Sequence, residues 1–227
     1  GDTGLPQHDS DSALEDCPLC RSVEVLAYYS DKTRSYLHCS QCQLVFVPRQ
    51  FHLSPENEKA AYDNHQNSPT DSGYRKFLSR LAQPLLAKIA PNSLGLDFGS
   101  GPGPTLSLML EEQGHRVAIY DPYYAPDELA LSHSYDFITS TEVVEHLASP
   151  GLEMEKLWAL LKPGGYLGIM TKQVTDPESF GRWHYKNDPT HISFFSNRSF
   201  QYLGNKWDSA PAFIGADVII FRKPLES

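Results

Sequence analysis

The sequence lacks any apolar run approaching the roughly 18 residues that a membrane-spanning helix needs. Its hydrophobic residues, 40% of 227, are dispersed among polar and charged ones. It also has no run of basic residues: 19 Lys and Arg stand against 28 Asp and Glu, for a formal net charge of −9. That balance argues against non-specific binding to a phosphate backbone, which needs a positive surface; a specific RNA substrate stays open. The acidic start, GDTGLPQHDSDSALED, has neither the basic nor the apolar region of a signal peptide. Residues 1–14 read as a flexible tail and the chain as cytoplasmic, with no membrane partner. No internal repeat and no low-complexity run is visible.

Cysteine is scarce, and all of it is in one place. Cys17, Cys20, Cys39 and Cys42 form two C-x2-C pairs separated by eighteen residues. A reducing compartment keeps such thiols out of disulfides, so the spacing reads as a metal site. Two such knuckles supply the four thiolates of a structural zinc ribbon, with no coordination position left open for chemistry. Free buried cysteines and an iron–sulfur site are the alternatives. A segment of about 35 residues has too little core to fold unaided, and its metal supplies the difference. The ribbon is expected over residues 15–48, with short strands in VEVLAYY, SYLH and QLVFV. A connector follows over 49–72, with a short helix at Pro55–Tyr62.

From residue 73 onward the pattern changes to alternating strands and helices. Tyr74, Phe77, Leu78, Leu81, Leu85 and Ile89 recur at helical spacing. Short apolar strands are expected at 94–98, 116–120, 136–139, 166–171 and 216–222, with helices over 105–113 and 152–161 and the start of another at 199–204. This alternation predicts an α/β domain over 73–227 with a doubly wound sheet. Ligands bind such sheets at the carboxyl ends of the strands, near the switch in strand order. At the first of those ends lies Asp97-Phe98-Gly99-Ser100-Gly101-Pro102-Gly103, between strand and helix. Glycines there allow a sharp turn and close approach of a ligand, and the helix start offers free N–H groups. Asp121 ends the next strand about twenty residues later, where a carboxylate can hold ribose hydroxyls. A dinucleotide fingerprint is the competitor, but Pro104 stands where its third glycine belongs.

Together these features resemble the class I, Rossmann-like S-adenosylmethionine-dependent methyltransferases. Asp97, Gly99, Gly101 and Gly103 match the first motif of that family. Thr141-Glu142-Val143-Val144-Glu145-His146-Leu147 is similar to its segment after strand four, and Leu161-Lys162-Pro163-Gly164-Gly165 to its turn before strand five. The resemblance implies that Asp97, Gly99, Ser100, Gly101 and Gly103 cradle the methionyl part of S-adenosylmethionine and that Asp121 holds the ribose; Pro122 and Tyr123, just past Asp121, could pack where the family makes its adenine contacts. It implies that Glu142 faces cofactor or substrate; a capped helix start is the plainer reading of Glu142, Glu145 and His146. Only fourteen residues separate Asp121 from Asp136, so the family's third strand must be abbreviated. Asp121-Pro122-Tyr123-Tyr124 departs from the D-P-P-Y motif of amino-directed nucleic-acid methyltransferases in both residue and position.

The aromatic stretch from Arg182 to Ser196 holds His184 and His191 and follows strand five. A similar D-P-x-H segment in small-molecule methyltransferases implies that it lines the substrate pocket. His191 or His184 could then serve as general base near neutral pH. Tyr62 and His65 are candidates to fold over the site. The expected reaction moves a methyl group to an O, N or C nucleophile of a small-molecule acceptor. An RNA or protein substrate docked by the ribbon is the second reading, and a non-enzymatic cofactor-binding module the third. With all four cysteines on metal, none is left for covalent cysteine catalysis.

Overall fold

The computed structural model describes residues 15–64 and 68–226. The tail expected at 1–14 and the candidate His65 lie outside the described residues. Two sheets organise the chain. The larger has six strands in the order β5-β4-β6-β7-β10-β9: β4 (Leu94–Phe98), β5 (Arg116–Tyr120), β6 (Tyr135–Thr141), β7 (Leu161–Met170), β9 (Ala212–Ile214) and β10 (Val218–Arg222). The first four run parallel, and β10 is antiparallel to both β7 and β9. The chain leaves β4 for β5 on one side and then crosses to β6 on the other. That reversal opens a crevice at the carboxyl ends of β4 and β6.

Each strand alternates its side chains between two layers. Val218 and Ile220 pack with Phe137 and Met170 beneath helices α2 (Ser72–Leu86) and α3 (Thr105–Glu112). Ile219 and Phe221 face the opposite way, toward α4 (Pro150–Leu160) and α6 (Asn197–Trp207), between which the chain forms the short α5 (Pro177–Gly181). There Trp158 and Trp207 stack with ring centroids 4.2 Å apart. Local chemistry fixes the helix ends. The Asp71 carboxylate accepts from the Gly73 and Tyr74 N–H groups, and a Ser196–Ser199 capping box opens α6.

The sequence pointed to an abbreviated third strand past Asp121; among the described residues there is no third parallel strand at all. An isolated bridge to Ala125 and a 3-10 helix at Glu128–Ser132 carry the chain to β6, leaving β5 at the sheet edge. Two late features exceed what the sequence suggested. The helix extends over Asn197–Trp207, and β9 adds a strand between it and β10.

The smaller sheet contains β1 (Val25–Ser30), β2 (Ser35–Cys39) and β3 (Val45–Phe46), and its fourth strand is β8 (Ser193–Phe194). Thus the cysteine segment pairs directly with the late aromatic stretch, Val45 opposite Phe194 and Phe46 opposite Ser193. Cys17, Leu19 and Leu44 share one core cluster with Leu96, Ile138 and Leu167 of the large sheet. Among the described residues no helix is long and apolar enough to cross a membrane.

Candidate active site

The crevice at the β4–β6 switch holds a cavity of about 380 Å³. Asp97, Gly99, Ser100, Gly101, Gly103, Asp121, Pro122 and Glu142 all line it, so the structure brings this whole set together. Gly99 and Gly101 have φ of 80° and 70°, left-handed values that favour glycine. A Cβ on Gly99 would also lie 2.3 Å from Val143 Cγ2, whereas one on Gly101 would meet only open space. The loop is pinned from the next strand: Gly99 N–H donates to the Tyr120 carbonyl at 2.7 Å, and Gly101 N–H to Asp121 Oδ2 at 2.9 Å. The other Asp121 oxygen accepts from the N–H groups of Tyr123 and Tyr124. One carboxylate therefore shapes two loops at the cavity mouth.

Asp97 is buried at the end of β4, and its Oδ1 accepts from the Thr139 hydroxyl at 2.9 Å. Burial, with the Asp121 charge adding to it, raises its carboxyl to about 7 despite that bond.

Helix α1 (Pro55–Asp63), expected from the sequence at Pro55–Tyr62, lies against the cavity and brings Tyr62 to it; what the sequence reading missed is how this helix is anchored. Tyr123 OH donates to Glu58 Oε1 and Tyr124 OH to Asp63 Oδ1, each at 2.6 Å. These bonds hold α1 against the cavity, and Glu58 and Tyr62 contribute to the lining. The signal was the pair of tyrosines just after Asp121, whose hydroxyls need acceptors once half-buried.

At the other end of the cavity stands a polar network. Glu142 adopts a left-handed φ of 55°, unusual for a residue with a side chain. Its N–H donates to the Met170 carbonyl at 2.7 Å. Its Oε2 lies 2.8 Å from Tyr185 OH, which is also 2.5 Å from Glu145 Oε2. Oε1 of Glu142 is buried without a partner. Burial, then the Glu145 charge, pushes the Glu142 carboxyl to about 9. Glu145, with no exposed surface, is raised by burial as well. One phenol cannot donate to two carboxylates at once, so the pair retains a proton near neutral pH.

His146 lines the cavity, with Tyr62 edge-on to its ring at 5.2 Å. His191 is buried behind it, ring centroids 4.7 Å apart. Burial lowers both imidazoles, His191 to about 4, so both are neutral near pH 7. His184 is exposed in a 3-10 helix and does not line the cavity. Of the histidines in or near the site, the one on the cavity wall is thus His146. Glu145, His146 and His191 place one ligand atom each within 4.8 Å of one another, a group able to hold a metal ion.

The four cysteines form the second such group. Cys17 and Cys42 Sγ are 3.5 Å apart, as are Cys20 and Cys39. That is too long for a disulfide and close to the edge of a thiolate tetrahedron with metal–sulfur bonds of about 2.3 Å. The two knuckles repeat one geometry. Arg21 N–H donates to the Cys17 carbonyl and Gln43 N–H to the Cys39 carbonyl, both at 2.9 Å. Arg21 and Gln43 both have left-handed φ, 67° and 65°.

A family model described as a methyltransferase domain matches residues 70–206. The chain belongs to this methyltransferase-domain family, and its fold is that of the class I S-adenosylmethionine-dependent enzymes. Two ubiquinone biosynthesis O-methyltransferases, from Colwellia psychrerythraea (strain 34H) and Dinoroseobacter shibae, are each 32% identical to it over 88 and 100 residues. Those stretches cover 38% and 44% of this chain but 35% and 39% of the relatives, so the match spans little more than a third of their length. A solved Burkholderia thailandensis 1,6-didemethyltoxoflavin-N1-methyltransferase, with its substrate and S-adenosylhomocysteine bound, superposes with a TM-score of 0.52 at 17% identity. That likeness covers 87% of this chain and 99% of the other; it is a likeness of fold.

Proposed function

We propose that this chain binds S-adenosylmethionine in the β4–β6 crevice and transfers its methyl group to an O, N or C nucleophile of a small-molecule acceptor. The observation that carries this reading is the convergence of the Gly99–Gly103 loop, Asp97 and Asp121 on one cavity at the switch point. In this reading the Asp97 carboxyl and the loop N–H groups hold the methionyl end. Asp121 meets the ribose with the lone pairs its loop bonds leave free, and Pro122 and Tyr123 flank the adenine. The acceptor would enter at the part of the cavity lined by Glu142 and His146. The cofactor arrives activated, so the protein's contribution is alignment and exclusion of water beneath α1. The names of the curated relatives favour a small molecule methylated on oxygen. We assign structural zinc to Cys17, Cys20, Cys39 and Cys42, on the strength of the repeated knuckles.

Calorimetric titration with S-adenosylmethionine tests the cofactor. Saturable one-to-one binding is expected, weakened about tenfold or more in Asp121→Ala, which removes a charged hydrogen-bond acceptor. A folded, metal-loaded protein that binds none would overturn the reading, and NAD would be the next ligand to try.

A further inference from the structure

The group behind the cavity wall has a feature that cofactor binding does not use. Both of its imidazoles commit Nδ1–H to a backbone carbonyl: His146 to Thr190 at 3.0 Å, and His191 to Tyr185 at 2.7 Å. Such a bond fixes the tautomer and leaves Nε2 as a lone-pair donor, the arrangement that metal-ligating histidines share. The two freed Nε2 atoms have acidic neighbours. His146 Nε2 lies 4.0 Å from Glu145 Oε2, and His191 Nε2 lies 3.5 Å from Asp188 Oδ2. Glu142 is tied to the group through Tyr185, and its buried Oε1 has no partner. Two imidazoles and one carboxylate within 4.8 Å of one another need contract only modestly to ligate one ion. At bonds of about 2.0–2.1 Å, neighbouring ligand atoms in a tetrahedron lie about 3.3 Å apart.

We propose that Glu145, His146 and His191 bind a divalent transition-metal ion, and that its open coordination positions face the cavity to take the acceptor's oxygen. The donor set decides the metal class. Two nitrogens and one carboxylate suit Zn²⁺, Mn²⁺ or Fe²⁺, whereas Mg²⁺ and Ca²⁺ prefer oxygen donors. Three protein ligands leave positions for substrate, unlike the closed four-thiolate site of the ribbon. The position decides the role. His146 forms part of the cavity wall while Glu145 and His191 stand behind it, so an ion held there meets the acceptor at the end where Glu142 lies.

The chemistry rests on the methyltransferase reading; the metal site does not. An acceptor hydroxyl bound to the ion becomes more acidic and gives up its proton to solvent at the cavity mouth. Its oxygen then forms the bond to the methyl carbon as the carbon–sulfur bond breaks. The sulfonium takes that electron pair and leaves as S-adenosylhomocysteine, so the positive charge of the cofactor and the negative charge of the oxygen cancel. The acceptor class is therefore an alcohol or phenol.

The test is a titration of the zinc-replete protein with Mn²⁺, followed by electron paramagnetic resonance of free Mn²⁺ and by elemental analysis after desalting. We expect a second metal equivalent beyond that of the ribbon, with affinity reduced more than tenfold in Glu145→Gln and in the double variant His146→Ala, His191→Ala. Retention of the ribbon metal shows that a variant has folded; Glu145→Gln, which preserves shape, serves if the double variant does not. A wild-type protein that holds only one metal overturns the site, as does a second equivalent that persists unchanged in these variants. S-adenosylmethionine titrated in parallel separates the two readings. Metal uptake without cofactor binding supports the site and removes the methyl-transfer chemistry. Cofactor binding without a second metal does the reverse.

Discussion

At the residue scale, burial rather than charge pairing sets the acid–base character of the site. Asp97, Glu142 and Glu145 are all raised, first by loss of water and then, for Asp97 and Glu142, by a neighbouring carboxyl. Asp97 gives the cleanest consequence. Its folded value of about 7 lies above the usual carboxyl value, so the folded state holds its proton more tightly than the unfolded chain. The favourable contribution is complete below about pH 4 and is lost as pH rises through about 7. Asp97→Asn carries no such proton. The stability of the cofactor-free variant relative to wild type is therefore expected to rise between about pH 4 and 7, by on the order of 3 kcal/mol. Denaturant midpoints of both proteins across that range check it; a constant difference would mean that Asp97 ionises normally.

At the scale of elements, the stretch carrying Tyr185 and His191 is held in place by the ribbon. Arg34, between β1 and β2 and 7% exposed, donates to the carbonyls of Lys186, Asp188, Pro189 and His191, and its Nε donates to Tyr36 OH. Lys186 returns the contact, its ammonium 3.2 Å from Asp31 Oδ2. A planar guanidinium can satisfy several carbonyls at once in a way that an ammonium cannot. Arg34→Met keeps the apolar stem and strands those carbonyls, at an expected loss of about 3 kcal/mol. Hydrogen exchange should then rise over 185–192 while β4 and β6 stay protected. A uniform increase along the chain would assign Arg34 to global stability instead. The lid follows the same logic on a smaller scale, since α1 reaches the cavity through two tyrosine hydroxyls on its acidic residues.

At the scale of the whole molecule, the segment after β7 supplies a strand to the small sheet, and the two sheets share one core. β8 pairs with β3, and Cys17 and Leu44 pack in the cluster that includes Leu96 and Leu167. Stripping the zinc proposed for the four cysteines should therefore destabilise the entire chain and not only its first strands. Calorimetry after treatment with a strong chelator is expected to show one transition at a markedly lower temperature, because metal binding is folding free energy for such a module. Two separate transitions, the second at the original temperature, would show that the sheets fold independently.

The sequence by itself determined the strand–helix alternation, the glycine loop with Asp97 and Asp121 at strand ends, the shortened connection past Asp121 and the paired cysteine knuckles. Each is a local pattern: a period of hydrophobicity, a turn that only glycine makes easily, or a spacing between ligands. What only the tertiary structure decided are contacts between distant segments. Ser193–Phe194 is too short to read as a strand, and it became one because β3 offered an unpaired edge. Nothing local to Arg34 marks it as buried; four carbonyls more than 150 residues away converge on it. His184, His191 and His146 were three histidines near strand ends in the sequence. Burial and two backbone hydrogen bonds put His146 on the cavity wall and His191 behind it, and left His184 in solvent. A side chain's distance from a cavity depends on how segments far apart in the chain pack, and no one-dimensional pattern encodes that.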